Sequence, residues 1–174
     1  WQWSTERSGR SLAEKIMREI IPEIDLLIAN ETDLADVLGI HSETAEGAID
    51  IEAFAHLARR AADAYPNLSY VAITLRESLS ASHNRWGAIL LQRPEDRIYF
   101  APENNGVYEP YDIDTIIDRV GAGDAFAAGL LHALNSDQNG TPSEALEFAV
   151  AASCLAHSIP GDINYSKLGE IQGL

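Results

Sequence analysis

The sequence predicts an α/β domain, a mainly parallel sheet with helices on both faces. Three observations carry this. Residues 25–29 and 70–75 are short apolar runs without polar alternation, as strands covered on both sides require. Stretches with a helical apolar period stand before, between and after them. Helix start and stop residues punctuate the chain at Pro22, Gly39, Asp50, Thr141 and Pro160.

In chain order, residues 11–21 carry Leu12, Ile16 and Ile20 at a helical spacing, and Pro22 ends that run. Residues 25–29 form the first strand. Asn30 follows at its C-terminal end, where open α/β sheets place ligand contacts. Residues 33–38 make a short helix closed by Gly39. Asp50 caps a helix to about residue 64, with Phe54, Leu57, Ala58 and Ala61 on one face. Residues 70–75 are the second strand. Residues 87–92 and 97–101 form an antiparallel hairpin around Pro94, Glu95 and Asp96. A helix occupies residues 121–134. Thr141, Pro142 and Glu144 open the last one with an N-cap, a proline in the first turn and a capping-box acid. It runs to about residue 157 and Pro160–Gly161 breaks it. Residues 137–140 are an interhelical loop. No repeat or linker divides residues 1–174.

Composition narrows the function classes. The chain has 174 residues, 46 % of them hydrophobic, enough for a buried core. A net charge of −15, with Lys15 and Lys167 the only lysines, argues against nucleic acid and anionic membrane as partners. An anionic substrate must then be met by local N–H groups, arginines or metal ions. The single cysteine, Cys154, lies in an apolar helical run and reads as a core residue in a reducing, cytoplasmic compartment. No apolar run reaches transmembrane length and no signal peptide is visible.

The chemistry concentrates in residues 118–126, Asp-Arg-Val-Gly-Ala-Gly-Asp-Ala-Phe. Gly121, Ala122 and Gly123 carry almost no side chain in front of an apolar helical run. The first N–H groups of a helix lack intrahelical partners, and the dipole adds about half a positive charge there. A phosphate can therefore approach closely. A carboxylate at Asp124, beside such a phosphate, is unfavourable unless it works as a base or a metal contact. The plainer alternative is a tight turn with Asp124 as the helix N-cap. Asp118 likewise reads as a turn-forming acid, and Arg119 as a partner of phosphate or of solvent. His83, His132 and His157 form no recognisable metal cluster. Trp86 and Phe100 sit on strand patterns as core residues. Walker A and Gly-x-Gly-x-x-Gly motifs are absent.

The longer string from Asp118 to Gly129 resembles the C-terminal signature of the ribokinase-like (PfkB) carbohydrate kinases. The resemblance implies a three-layer ribokinase-like fold. Asp124 would be the catalytic base, and the N–H groups of Gly121, Ala122 and Gly123 an anion hole. Asp118, with the carbonyl of Val120, would lie at a monovalent-cation site, with K⁺ the candidate ion. Thr74 to Ser78, with Asn84, Arg85 and Trp86, looks like the nucleotide-loop region of the 2-keto-3-deoxygluconate kinases. Residues 157–164 look like their C-terminal loop. Thr74, Arg76 and Ser78 become nucleotide-contact candidates, although Arg76 stands where many members have glycine. Val150 stands where ribokinase-type members often carry asparagine near adenine. Asn30 and Asp33 resemble the family's Asn-x-x-Glu motif with Asp as the final acid. Their implied role is to organise water around Mg²⁺ and the phosphates of ATP.

By this resemblance the expected activity is ATP-dependent phosphorylation of 2-keto-3-deoxygluconate or a related sugar acid. Another PfkB sugar or nucleoside kinase, or a non-catalytic nucleotide-binding domain, is the alternative. The resemblance begins near the middle of the family pattern, while the chain opens at Trp1, Gln2 and Trp3. The expectation is therefore a C-terminal nucleotide-binding and catalytic portion. The sugar-binding half and the lid would lie outside these residues. Such a chain should be inactive alone and prone to homodimerise or associate through an exposed sheet edge.

Overall fold

A computed structural model of the chain describes residues 7–41, 49–136 and 140–174. The order is α1 (Arg7–Ile20), β1 (Leu26–Asn30), α2 (Glu31–Leu38), α3 (Ile51–Ala64), β2 (Tyr70–Ser80), β3 (His83–Gln92) and β4 (Arg97–Ala101). There follow β5 (Glu103–Asn104), β6 (Val107–Tyr108), β7 (Tyr111–Ile113), α4 (Ala122–Leu134), α5 (Pro142–Ala156) and α6 (Leu168–Ile171). The Trp1–Trp3 opening and the loop expected at 137–139 lie outside the described residues.

The α/β class and the helices on both faces are as expected, but the sheet is mixed rather than mainly parallel. Among the described residues only β1 and β2 pair parallel, with Asn30 beside Thr74. β2–β3, β3–β4 and β3–β7 are antiparallel. The reason is connection length. A parallel pair needs a crossover of a dozen or more residues, which α2 and α3 supply between β1 and β2. The β2–β3 and β3–β4 connections are tight turns, at Ala81–Ser82 and at residues 93–96, where Asp96 N donates to Arg93 O at 3.0 Å. A tight turn returns the chain antiparallel. β1 lies at one end of the strand order.

Period-2 alternation sends alternate β2 and β3 side chains to opposite faces. Leu27, Val71, Ile73, Leu75, Ile89 and Leu91 meet Leu34, Phe54, Leu57 and Ala61 of α2 and α3. On the other face, Ala72, Trp86, Ala88 and Leu90 meet Phe126 and Leu130 of α4 and Leu146, Ala149 and Val150 of α5. Val150 is thus fully buried in the core. Cys154 packs at the margin of this cluster, and burial pushes its thiol up to about 11, so it stays protonated at neutral pH. Trp86 is buried, while Phe100 is half-buried against the first cluster.

The capping signals act as read. Asp50 accepts from Glu52 N and Ala53 N, and Thr141 and Glu144 form the reciprocal box. Gly39 closes α2 in the left-handed region at φ 70°. In α1, Met17 packs on the core, whereas Leu12 and Ile20 of the expected apolar stripe are exposed. Among the described residues no helix is long and apolar enough to cross a membrane.

Candidate active site

The N-cap of α4 is Gly121, not Asp124. Gly121 adopts φ 83°, and a Cβ built there would lie 2.3 Å from the Asp162 carbonyl oxygen. Backbone conformation and crowding both demand glycine at this point. α4 receives no side-chain cap hydrogen bond. Its leading N–H groups therefore lack the oxygen that Asp50 and Thr141 give their helices. A Cβ at Gly123 would meet no atom within 4 Å, so packing does not require glycine there. The space beside Gly123 is open. Asp124 stands exposed in the first turn of α4, the third helical residue.

The loop entering the helix is built around Asp118. Its Oδ1 accepts from Arg119 N at 2.7 Å and Val120 N at 3.1 Å, and its Oδ2 from Gly161 N at 3.0 Å. These backbone bonds, Val120's foremost, hold the carboxyl below its ordinary range. Ile117 N and Asp118 N both donate to the His157 carbonyl, at 2.9 and 3.3 Å. Arg119 turns away from the loop. Its Nη2 donates to Ser80 O at 3.1 Å, Ala81 O at 2.8 Å and Asn84 Oδ1 at 3.1 Å.

Beneath the loop, Ser153 Oγ donates to the Ala122 carbonyl at 2.7 Å, tying α5 to the first turn of α4. The His157 ring is buried edge-on to Trp86, with centroids 5.0 Å apart. Its Nδ1 lies 2.9 Å from the Ser153 carbonyl, which can only accept, so Nδ1 carries the proton. Burial pushes the His157 pKa down. The Ser153 bond opposes this, and the charges of Arg119 and Arg76 add to it.

The nucleotide candidates divide into two groups. Thr74, Arg76 and Ser78 share one side of β2, the side covered by α4 and α5. Arg76 pairs with Trp86 and Ser78 with Asn84 across the hairpin. Arg76 is exposed, yet near enough to His157 to act on its charge. Asn30 reaches this group through its register with Thr74. Its side chain accepts from Asp33 N at 2.8 Å, and Asn30 N donates to Asp33 Oδ2 at 3.1 Å. This capping box starts α2 at Glu31, two residues before the position the apolar pattern suggested. Asp33 Oδ1 takes no part in the cap. Sequence reasoning assigned no role to Ser153 or Asp162. The Ser153 hydroxyl bond to Ala122 and the crowding of Gly121 by Asp162 each join residues some thirty to forty positions apart, and no local pattern marks either.

The model of the pfkB family of carbohydrate kinases matches residues 80–167, which include the loop, α4 and α5. The chain belongs to the pfkB family of carbohydrate kinases. Its fold is the ribokinase-like α/β fold. Among solved structures, 2-dehydro-3-deoxygluconokinase of Thermotoga maritima is similar at a TM-score of 0.81 and 36 % identity, covering 97 % of this chain and 48 % of that one. A PfkB family carbohydrate kinase of Listeria grayi matches at 0.74 and 30 %, covering 97 % of this chain and 47 % of that one. A fructokinase double mutant of Vibrio cholerae, solved with fructose, ADP and potassium, shares the fold at 0.62 and 22 %, covering 97 % and 45 %. This family member thus spans about half the length of the solved relatives it matches. No curated protein matches it.

Proposed function

We propose that the chain is the nucleotide-binding and catalytic portion of an ATP-dependent kinase for 2-keto-3-deoxygluconate or a related sugar acid. The observation that carries the reading is the front of α4. Its N–H groups are uncapped by any side chain, open space adjoins Gly123, and an exposed carboxylate at Asp124 borders that space. The similarity to the Thermotoga maritima enzyme favours a keto-deoxy sugar acid among sugar substrates. The chain spans about half of that relative, so we assign the sugar pocket to residues beyond these 174.

The transferred phosphoryl group lies against the N–H groups of Gly121, Ala122 and Gly123. These stabilise the charge that spreads over its equatorial oxygens. Asp124 orients the acceptor hydroxyl and takes its proton as the oxygen bonds to phosphorus and ADP departs. Thr74, Arg76 and Ser78 contact the nucleotide, and Arg76 supplies the positive charge that the acidic chain otherwise lacks. Mg²⁺, when bound, neutralises charge on the phosphate oxygens. Asp33 fits this part through its uncapped Oδ1, with Asn30 holding the turn. Asp118 fits a K⁺ site poorly, because backbone N–H groups take three of the roughly four acceptor positions of its carboxylate. We therefore derive no step through K⁺ and assign Asp118 to shaping the loop.

The test is Asp124→Asn in the complete kinase, assayed with Mg-ATP and 2-keto-3-deoxygluconate. The expected kcat falls by about 10²–10⁴-fold with nucleotide affinity kept, the usual loss of a general base. A near-native kcat would refute the assignment.

A further inference from the structure

The guanidinium of Arg119 is committed elsewhere than to a substrate phosphate. We infer that Arg119 is a positioning residue, a strut that sets the spacing between the two halves of the nucleotide site. This rests on the reading above that ATP binds here.

The two halves come from distant parts of the chain. The loop at 118–123 carries the phosphate-binding N–H groups, and the β2–β3 hairpin carries Thr74, Arg76 and Ser78. The hairpin reaches well past the end of β1. β1 stops opposite Thr74, whereas β2 continues to Ser80 with an irregular register between Ser78 and Ser80. Beyond that point the sheet on the β1 side no longer holds it. β7 supports β3 from Asn84 to Trp86, but no ladder reaches Ala81 and Ser82. His83 Nε2 meets Asp112 Oδ1 of β7 at 2.6 Å, but the carbonyls of the turn itself are held from the loop side. Ile116 N donates to Ser82 O at 3.0 Å, and Arg119 Nη2 reaches Ser80 O, Ala81 O and Asn84 Oδ1.

The base of this strut is rigid. Arg119 N is bonded to Asp118 Oδ1, and Asp118 is fixed by Gly161 and the His157 carbonyl. Its far end is rigid too, because Asn84 is fully buried beside Trp86. Hydrogen bonds from an ionised donor are roughly twice as strong as neutral ones, and here the two N–H groups of Nη2 serve three oxygens. Arg119 is thus tied up, whereas Arg76, exposed on the same face, makes no hydrogen bond or ion pair among the described residues. The strut thus also separates two roles, one arginine for geometry and one for phosphate charge.

Arg119→Met and Arg119→Lys in the full chain test this by two readouts. One is amide hydrogen exchange at residues 81–84, and the other is calorimetric titration with Mg-ATP. Methionine should speed exchange at the hairpin tip and weaken Mg-ATP by roughly tenfold each, the loss expected for a charged hydrogen bond. Lysine, with three donors on one nitrogen, should recover part of both. If Arg119→Met does not fold, the lysine variant should still show intermediate values against the native chain. Weaker Mg-ATP binding without faster tip exchange would make Arg119 a direct phosphate ligand and overturn the inference. A lower melting temperature with unchanged Mg-ATP affinity would make it merely structural and overturn it as well. A native chain that binds no Mg-ATP would instead overturn the nucleotide reading itself, and faster tip exchange would then show only the tie.

Discussion

At the scale of single residues, Gly121 and Gly123 look alike in sequence and differ in kind. Gly121 is glycine because of the protein: φ is 83° and a Cβ would strike the Asp162 carbonyl. Gly121→Ala should cost roughly 2–5 kcal/mol, combining left-handed strain with overpacking. Chemical denaturation measures this directly. Gly123 meets nothing, so Gly123→Val should leave the melting temperature nearly unchanged while weakening Mg-ATP binding. Unchanged affinity by calorimetry would reduce the loop to a turn. His157 gives a pH test. Its folded pKa lies below the ordinary 6.5, so in the window under 6.5 the unfolded chain binds a proton that the folded chain refuses. Stability is whole above that window and falls as pH drops through it. Urea midpoints at pH 7 and 5.5 should differ less in His157→Gln than in the native chain. Equal differences would exclude His157 as the titrating group.

Among the elements, the helix termini follow local chemistry and the strands follow their neighbours. Asp50, Thr141 and Gly39 mark their helix ends in the sequence, because a cap is a contact within a few residues. Thr141→Ala removes an N-cap that accepts from Glu144 N and should cost about 1 kcal/mol. Mg-ATP affinity should not change, since α4 keeps its own front; an altered affinity would show that α5 transmits strain to the loop. Strand lengths were less legible. The apolar run ends at Leu75, yet β2 runs to Ser80 because β3 pairs with it. β5, β6, β7 and α6 have two to four residues each, too few to show a period. The same shortness hides one further pairing: β7 joins β3 through three register pairs that no hydropathy pattern announces.

For the whole molecule, the open question is what the 174 residues do alone. β1 ends the strand order, and Leu12 and Ile20 of α1 are exposed nearby in the chain. A strand paired along one edge only and exposed apolar side chains favour association. The purified chain should elute above monomer size, in proportion to concentration. With Mg-ATP, K⁺ and 2-keto-3-deoxygluconate it should release no ADP, because phosphoryl transfer depends on proximity worth about 7–11 kcal/mol of barrier. Turnover at ordinary kinase rates would show that the chain contains its own sugar site.

The residues by themselves determined the α/β class, the capped helices, the family resemblance and the loop to which we assign phosphate chemistry. Each of these is written in contiguous positions: a period, a cap or a nine-residue string. Only the tertiary structure decided that Gly121 rather than Asp124 caps α4, and that Asp118 is held by three backbone donors. It alone showed that Arg119 faces the hairpin and that His157 is buried against Trp86. Those outcomes depend on Asp162, Gly161, Asn84 and Ser153. The pairings form only when the sheet and the α4–α5 layer bring distant segments to within a hydrogen bond of one another, a distance that sequence separation does not encode.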